Sequence, residues 1–304
     1  MIHKGDSLII PSQTSLIEQK TVLDGTFNDQ LPEPFDLIIR PQSGWIGINW
    51  NEMVSHRELL FYFIWRDISV RYKQTILGPA WAILQPLILM LIFTVVFGRF
   101  VKVDSQGFPY PVFVFAGLIP WTLFSQGMPQ SSLSLVNQHS LLTKVYFPRL
   151  FVPISAACVF LADLVISLGI YAFVLLYYRV VPCWTIVFLP LLVLLTLIAT
   201  LSIGVLLSAL TIFYRDFKHI VPFLTMIFMY VTPVAYSAKV FSPRAQMILS
   251  LNPMFGIVAA FRSAILGSDW NPLSLAISTA TALGSFLFAV FYFRRTERRF
   301  ADFA

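Results

Sequence analysis

Five stretches of this chain, residues 80–98, 111–138, 180–214, 220–238 and 270–293, contain no Asp, Glu, Lys or Arg, and a sixth, 150–178, contains only Asp163. Each is long enough to cross a hydrocarbon core of about 30 Å, which takes about 20 helical residues. Lipid offers no partners to a bare backbone, so such segments close their amide bonds internally as helices. The pattern predicts an all-α integral membrane protein with six transmembrane helices, at about 80–98, 111–136, 150–178, 184–213, 219–237 and 272–293. Hydrophobic residues form 57% of the chain and charged residues 12%, which excludes a soluble domain of ordinary composition.

The net charge of +6 does not point to nucleic acid, because the basic residues sit beside the apolar spans and not on a separable polar domain. Their placement sets an orientation. With a cytoplasmic amino terminus, the inside holds Arg57, Arg66, Arg71, Lys73, Lys144, Arg149, Arg215, Lys218, Arg294, Arg295, Arg298 and Arg299; the outside holds Arg99, Lys102, Arg179, Lys239, Arg244 and Arg262. Basic residues favour the cytoplasmic side, so both termini are expected to be cytoplasmic. Residues 1–49 show no short apolar core followed by a cleavage site, and the first span is expected to direct insertion itself. Cys158 and Cys183 have neither metal-ligand spacing nor paired loop positions and read as packing residues.

Asp163 is a test of the third span. Its 16 Leu, Ile, Val and Phe residues contribute about −5 to −10 kcal/mol to insertion, against about +3 for a central Asp, so the span still inserts. No span holds a basic partner for Asp163, which leaves an interhelical hydrogen bond or a proton relay as its readings.

Residues 1–50, with Pro11, Pro32, Pro34 and Pro41, read as an extended cytoplasmic arm, and 51–304 as the transmembrane domain. Over 52–75, Leu60, Phe61, Ile64, Ile68 and Tyr72 recur at helical spacing while Arg66, Ser69 and Lys73 take another face. Ser55 and Glu58 fit a capping box. This predicts an amphipathic helix in the membrane interface, with Tyr62 and Trp65 near the headgroups and basic residues toward anionic lipid. Either a lipid anchor or a role at a channel entrance suits it. Pro86, Pro120 and Pro129 lie inside spans and are expected to kink them. Residues 243–267 are too apolar for free solution and too interrupted to cross, and read as re-entrant helices. No internal repeat is evident, which weighs against an inverted-repeat secondary transporter.

His3, His56, His139 and His219 are scattered outside the spans, so no catalytic cluster is visible, and no Gly-x4-Gly-Lys loop is present to cradle a nucleotide. The specific signals are short motifs. They are Arg66-Asp67-Ile68-x-Val70-Arg71-Tyr72-Lys73-Gln74-Thr75-x-Leu77-Gly78, Trp81-x3-Gln85-Pro86, the run from Asn137 through Leu141, Leu142, Lys144, Phe147 and Pro148 to Arg149, Tyr214-Arg215-Asp216, and Asn252-Pro253-x8-Arg262-x4-Gly267. Together they resemble the permease subunits of type-2 ABC exporters, most closely the branch that moves lipid-linked O-antigen, capsule or teichoic-acid polymers. The likeness runs from Glu52 to the carboxyl terminus.

The resemblance implies a permease of the inner (plasma) membrane that works as a homodimer with two copies of a separate ABC ATPase. ATP and Mg would be bound by that partner, and this chain would carry no cofactor and no catalysis of its own. It implies ATPase coupling by Asn137, Leu141, Leu142, Lys144, Phe147, Pro148 and Arg149, and by Tyr214, Arg215 and Asp216. Fixing topology remains a second reading for Lys144 and Arg149, starting the third span for Pro148, and helix capping for Asp216. A translocation pathway along spans one and five would use Trp81, Gln85, Phe93, Phe97, Tyr230 and Tyr236, since a sugar polymer offers apolar C–H faces and many hydroxyls; each of these aromatics also suits simple lipid-facing packing. Asn252, Pro253 and Arg262 would belong to a periplasmic gate, and Arg66, Asp67, Arg71, Tyr72 and Lys73 to the interfacial helix in contact with membrane lipids. The other readings are export of a drug or small lipid, a membrane glycosyl- or acyltransferase, and a passive channel.

Overall fold

The computed structural model describes residues 54–73, 80–138, 147–297 and 300, and every regular element among them is helical. The expected arm, and Leu141, Leu142 and Lys144 of the expected coupling run, lie outside the described residues. Helix α1 is Arg57–Lys73. Helix α2, Ala80–Phe93, widens into a π-helical stretch, Thr94–Phe100. Helix α3 is Tyr110–Asn137, α4 Phe151–Cys158 and α5 Phe160–Tyr177, the last two forming one span. A short 3-10 turn at Trp184–Phe188 leads into α6, Leu189–Phe213. Then come α7, Phe217–Val231; α8, Pro243–Leu249; α9, Pro253–Leu266; and α10, Pro272–Glu297.

Five helical segments are long and apolar enough to cross a bilayer, and α8 with α9, bent by 116°, makes a sixth if the pair counts as one span. The fifth expected span is helical only over the 15 residues of α7, about 22 Å, too short to cross alone. Pro233 explains its end: proline lacks an N–H and drives the preceding residue, Thr232, to an extended conformation (ψ 133°). Beyond it the backbone runs on as a non-helical strap over residues 232–237.

Helix α3 is the centre of the bundle. Of its membrane window 78% is buried, against 11% for α2. It meets α6 through small residues: a Cβ on Gly204 would come within 2.7 Å of Ser131, and one on Gly127 within 2.9 Å of Thr200. In lipid, helix association relies on such close packing, because tails are as apolar as Leu. Ser131 donates across the bundle to the Pro153 carbonyl at 2.9 Å, while Thr196 and Thr200 return their hydroxyls to carbonyls four residues back. A second apolar cluster, holding Phe63, Leu135, Phe147, Phe151, Val205 and Phe293, packs the Asn137 end of α3. The Tyr110 end lies about 42 Å away along the 28-residue helix.

Candidate functional site

Polar chemistry concentrates at the two ends of α3. At the Asn137 end, α1 turns Arg66, Asp67 and Arg71 toward the bundle, where basic residues were expected to face lipid, and leaves Arg57, Glu58 and Lys73 exposed. Arg71 donates to Asp163 at 2.7 Å and to Gln126 at 3.2 Å, its guanidinium lies 4.4 Å from the Phe160 ring centre, and the Tyr72 hydroxyl donates to the other Asp163 oxygen. The Asp163 side chain is 13% exposed. Asp163 therefore has a basic partner after all, supplied from outside the spans by α1. Burial, and then the bond to Asp163, push the Tyr72 hydroxyl pKa up to about 12, so it stays a donor. Phe61, Tyr62 and Trp65 are exposed instead. The helix thus presents aromatics outward and ion pairs to the bundle.

Arg66 pairs with Asp67 at 2.7 Å and reaches Gln138 at 3.1 Å, at the end of α3. A cavity of about 330 Å³ lies among Asp67, Arg71, Gln130, Asn137 and Phe160. Phe147 stands edge-on to Phe63 of α1 at 5.4 Å, so the end of the coupling run is packed against the interfacial helix. Arg149 ties that run to α10 through its backbone N–H to Glu297 at 3.2 Å and its guanidinium to the Glu297 carbonyl at 2.8 Å. Pro148 is buried beside it, and Lys73 is exposed. Tyr214, Arg215 and Asp216 are exposed where α6 gives way to α7, at this same end. Asp216 precedes α7 without a side-chain capping bond.

The Tyr110 end is organised by Arg262, which is 3% exposed. Its guanidinium donates to the carbonyls of Phe113 (3.1 Å), Pro233 (2.6 Å), Tyr236 (2.9 Å) and Val234, and stacks 3.9 Å over the Phe113 ring. The Tyr110 hydroxyl donates to the Ala235 carbonyl at 2.7 Å. Four successive carbonyls of the strap are thereby satisfied, which is the condition for irregular backbone at membrane depth. Gly117 leaves the room, since a Cβ there would sit 2.6 Å from an Arg262 nitrogen. Asn252 caps α9 through the Met254 N–H (3.0 Å) and donates to Thr232 at 2.9 Å, joining the break between α8 and α9 to the strap. Pro253 opens α9. At the rim Lys239 pairs with Asp269 at 2.6 Å, which holds the Asp269 carboxyl below its usual range.

The expected pathway residues spread along α2 and its π-helical stretch, α7 and the strap. Trp81 and Gln85 are exposed on α2, Phe93 and Phe97 are half-buried in edge contact at 5.5 Å, and Tyr230 is exposed on α7 with its carbonyl accepting from Tyr236 at 2.7 Å. Sequence reasoning missed Gln126, Glu297, Tyr110 and Gly117. The isolated charge of Asp163 was the one signal that such partners had to exist.

The family described as ABC-2 type transporter matches residues 58–266. The protein is 29% identical over 251 residues to the O-antigen export system permease protein RfbA of Myxococcus xanthus, an alignment covering 81% of its own length and 96% of that relative. Two proteins of the same name from Klebsiella pneumoniae are 25% and 24% identical, each over 81% of the present sequence and 94% of their own length.

Proposed function

Because this chain belongs to the ABC-2 type transporter family, we propose that it is the membrane permease of an ATP-driven exporter that carries a lipid-linked polysaccharide, of the O-antigen, capsule or teichoic-acid type, from the cytoplasm across the inner membrane. One observation carries this reading: relatives named as O-antigen export permeases align over 94–96% of their own length. The polymer's chemistry agrees, since the exposed aromatics of α2 and α7, together with Gln85 on α2, offer a sliding glycan stacking surfaces and replaceable hydrogen bonds instead of one tight pocket.

In this reading both termini are cytoplasmic and the Asn137 end of the bundle faces the ATPase. Two ATPase copies bind ATP and Mg and press on the run ending at Phe147, Pro148 and Arg149, with Tyr214, Arg215 and Asp216 as a second contact. The push has two outlets, Phe147 onto Phe63 of α1 and Arg149 onto Glu297 of α10. From α1 it passes through Arg71 and Tyr72 to Asp163 and so to α5. Two copies of the permease enclose one pathway, bordered by α2 and α7, while Asn252, Pro253 and Arg262 hold the gate at the far end.

The test is a strain lacking this protein. It should lose surface polysaccharide and retain undecorated lipid-linked polymer on the cytoplasmic side, and Phe147→Ala with Arg149→Ala should reproduce the loss while the protein still inserts. Normal surface polysaccharide in the null strain overturns the proposal; broad drug sensitivity in its place would assign the same fold to small-molecule export.

A further inference from the structure

We propose that a second cavity, at the Tyr110 end of the bundle, is a saccharide pocket that holds one pyranose ring of a glycan; the assignment rests on the polysaccharide reading above. The cavity measures about 270 Å³ and is lined by Gln106, Ser237, Gln246, Asp269, Trp270 and Asn271, with Ala259 on its wall. That is just below the range of about 300–1,000 Å³ typical of drug-sized ligands, so it suits a single ring.

The lining matches a sugar and little else. A pyranose presents an apolar C–H face and adjacent hydroxyls that each donate and accept. Trp270 supplies the ring surface, held edge-on to Phe188 at 6.2 Å, and planar amide and carboxylate groups supply paired acceptors and donors. Each amide is anchored by at least one bond, Asn271 and Gln246 through both oxygen and nitrogen, and each keeps some unused hydrogen-bonding capacity. Gln106 donates to Ser237 at 2.6 Å and keeps its side-chain oxygen; Asn271 donates to Gln246 at 2.8 Å and keeps a second N–H; Gln246 is anchored on the Phe241 carbonyl at 3.0 Å. Such preorganisation lowers the ordering cost of binding. Gly267, at φ +72°, makes the left-handed turn that ends α9 and brings residues 268–271 over the cavity.

An anion fits poorly, since both cations of the lining are already matched, Lys239 by Asp269 and Arg262 by its four carbonyls. A metal fits poorly too, with Asp269 the one carboxylate of the lining. An apolar ligand would strand the amides without partners. Arg262 belongs both to this wall and to the strap brace, so a ring seated here touches the group that sets the strap's shape.

The experiment uses the full-length protein in lipid nanodiscs, with oligosaccharide released by mild acid from the host strain's surface polysaccharide as probe, read by saturation-transfer NMR. Ring protons should receive saturation from the wild-type protein, with at least a fivefold drop for Ala259→Leu, which fills the cavity while keeping every polar group, and for Trp270→Ala. Trp184→Ala, outside the cavity, should match wild type. A variant that does not elute as wild type on size exclusion is replaced by Gln106→Asn, which tolerates the left-handed backbone at that position (φ 57°). Equal transfer across all variants, or none to wild type, overturns the pocket. Lost surface polysaccharide in the null strain together with that result defeats the pocket alone, whereas intact surface polysaccharide defeats the export reading beneath it.

Discussion

Arg262 and Asp163 are charges that this fold brings inside, and each is held by a different device. Arg262 relies on carbonyls, and a lysine, with three donors on a single nitrogen, cannot span oxygens that the guanidinium fork reaches from three nitrogens. Arg262→Lys should cost about 2 kcal/mol, and Arg262→Met, which strands every one of those carbonyls, about 3–5. Gly117→Ala should cost about 1–3 kcal/mol by displacing the guanidinium. Thermal unfolding in detergent should give that order, and a fully stable Arg262→Met would show the strap to be held by something else. Asp163 relies on a mutual pair instead, so Arg71→Met and Asp163→Asn should be non-additive. A double-mutant cycle should return a coupling of about 1 kcal/mol or more, and strict additivity would mean that the pair does not act as a unit. Burial first, then the Asp163 bond, raise the Tyr72 pKa from 10.0 to about 12, so its contribution is complete below pH 10 and is lost as pH climbs through about 12. Tyr72→Phe should remove that alkaline slope from the unfolding midpoint, and an unchanged slope would place its origin in another group.

Among elements, α1 shows what a linear pattern can and cannot reveal. Its existence was legible, because the helical spacing of Leu60, Ile64 and Ile68 needs no tertiary information. Its orientation was not: Arg71 and Arg66 face inward because their partners, Asp163 on α5 and Gln138 at the end of α3, are far away in sequence. The spans were legible for the reason α1's orientation was not, since the absence of charge is a local property that lipid reads directly. The end of α7 falls between these cases. Pro233 announces a break, but an open strap survives there only because Arg262, on α9, satisfies its carbonyls. Of the expected coupling residues, Arg149 meets Glu297 on α10, and of the expected gate residues, Arg262 shares the strap with Tyr110; neither partner carried a motif. From this packing, Phe147→Ala should free α1 from the bundle. Faster hydrogen exchange over Arg57–Lys73, with the exchange of α6 unchanged, is the expected reading; unchanged α1 exchange would show Arg71 and Tyr72 to be sufficient anchors.

For the whole molecule, the question is what covers α2 and α7. On α2 the exposed Trp81, Leu84, Ile88 and Leu91 fall on one stripe at steps of three and four, and on α7 Phe223, Met226, Ile227 and Tyr230 do the same. Lipid would satisfy such stripes, yet in the proposed homodimer they are the faces turned toward the second copy. A two-fold interface is self-complementary, so α2 of one protomer would meet α7 of its partner and the reverse. The two helices begin at the same end of the bundle, which fixes which residues lie at one depth. Counted from the first residue of each helix at about 1.5 Å per residue, Leu84 and Phe223 lie within about 3 Å of each other in depth, as do Leu91 and Tyr230, while Leu84 and Tyr230 differ by about 14 Å. Cysteines placed singly in two differently tagged copies, with Cys158 and Cys183 replaced by Ser, should cross-link for the two depth-matched pairs. The mismatched pair should not, nor should Phe173→Cys on α5, whose side chain is 74% exposed on another helix. Equal cross-linking of matched and mismatched pairs would mean random collision in the bilayer. Efficient cross-linking through Phe173 alone would move the dimer interface to α5, and with it the path that the polymer takes.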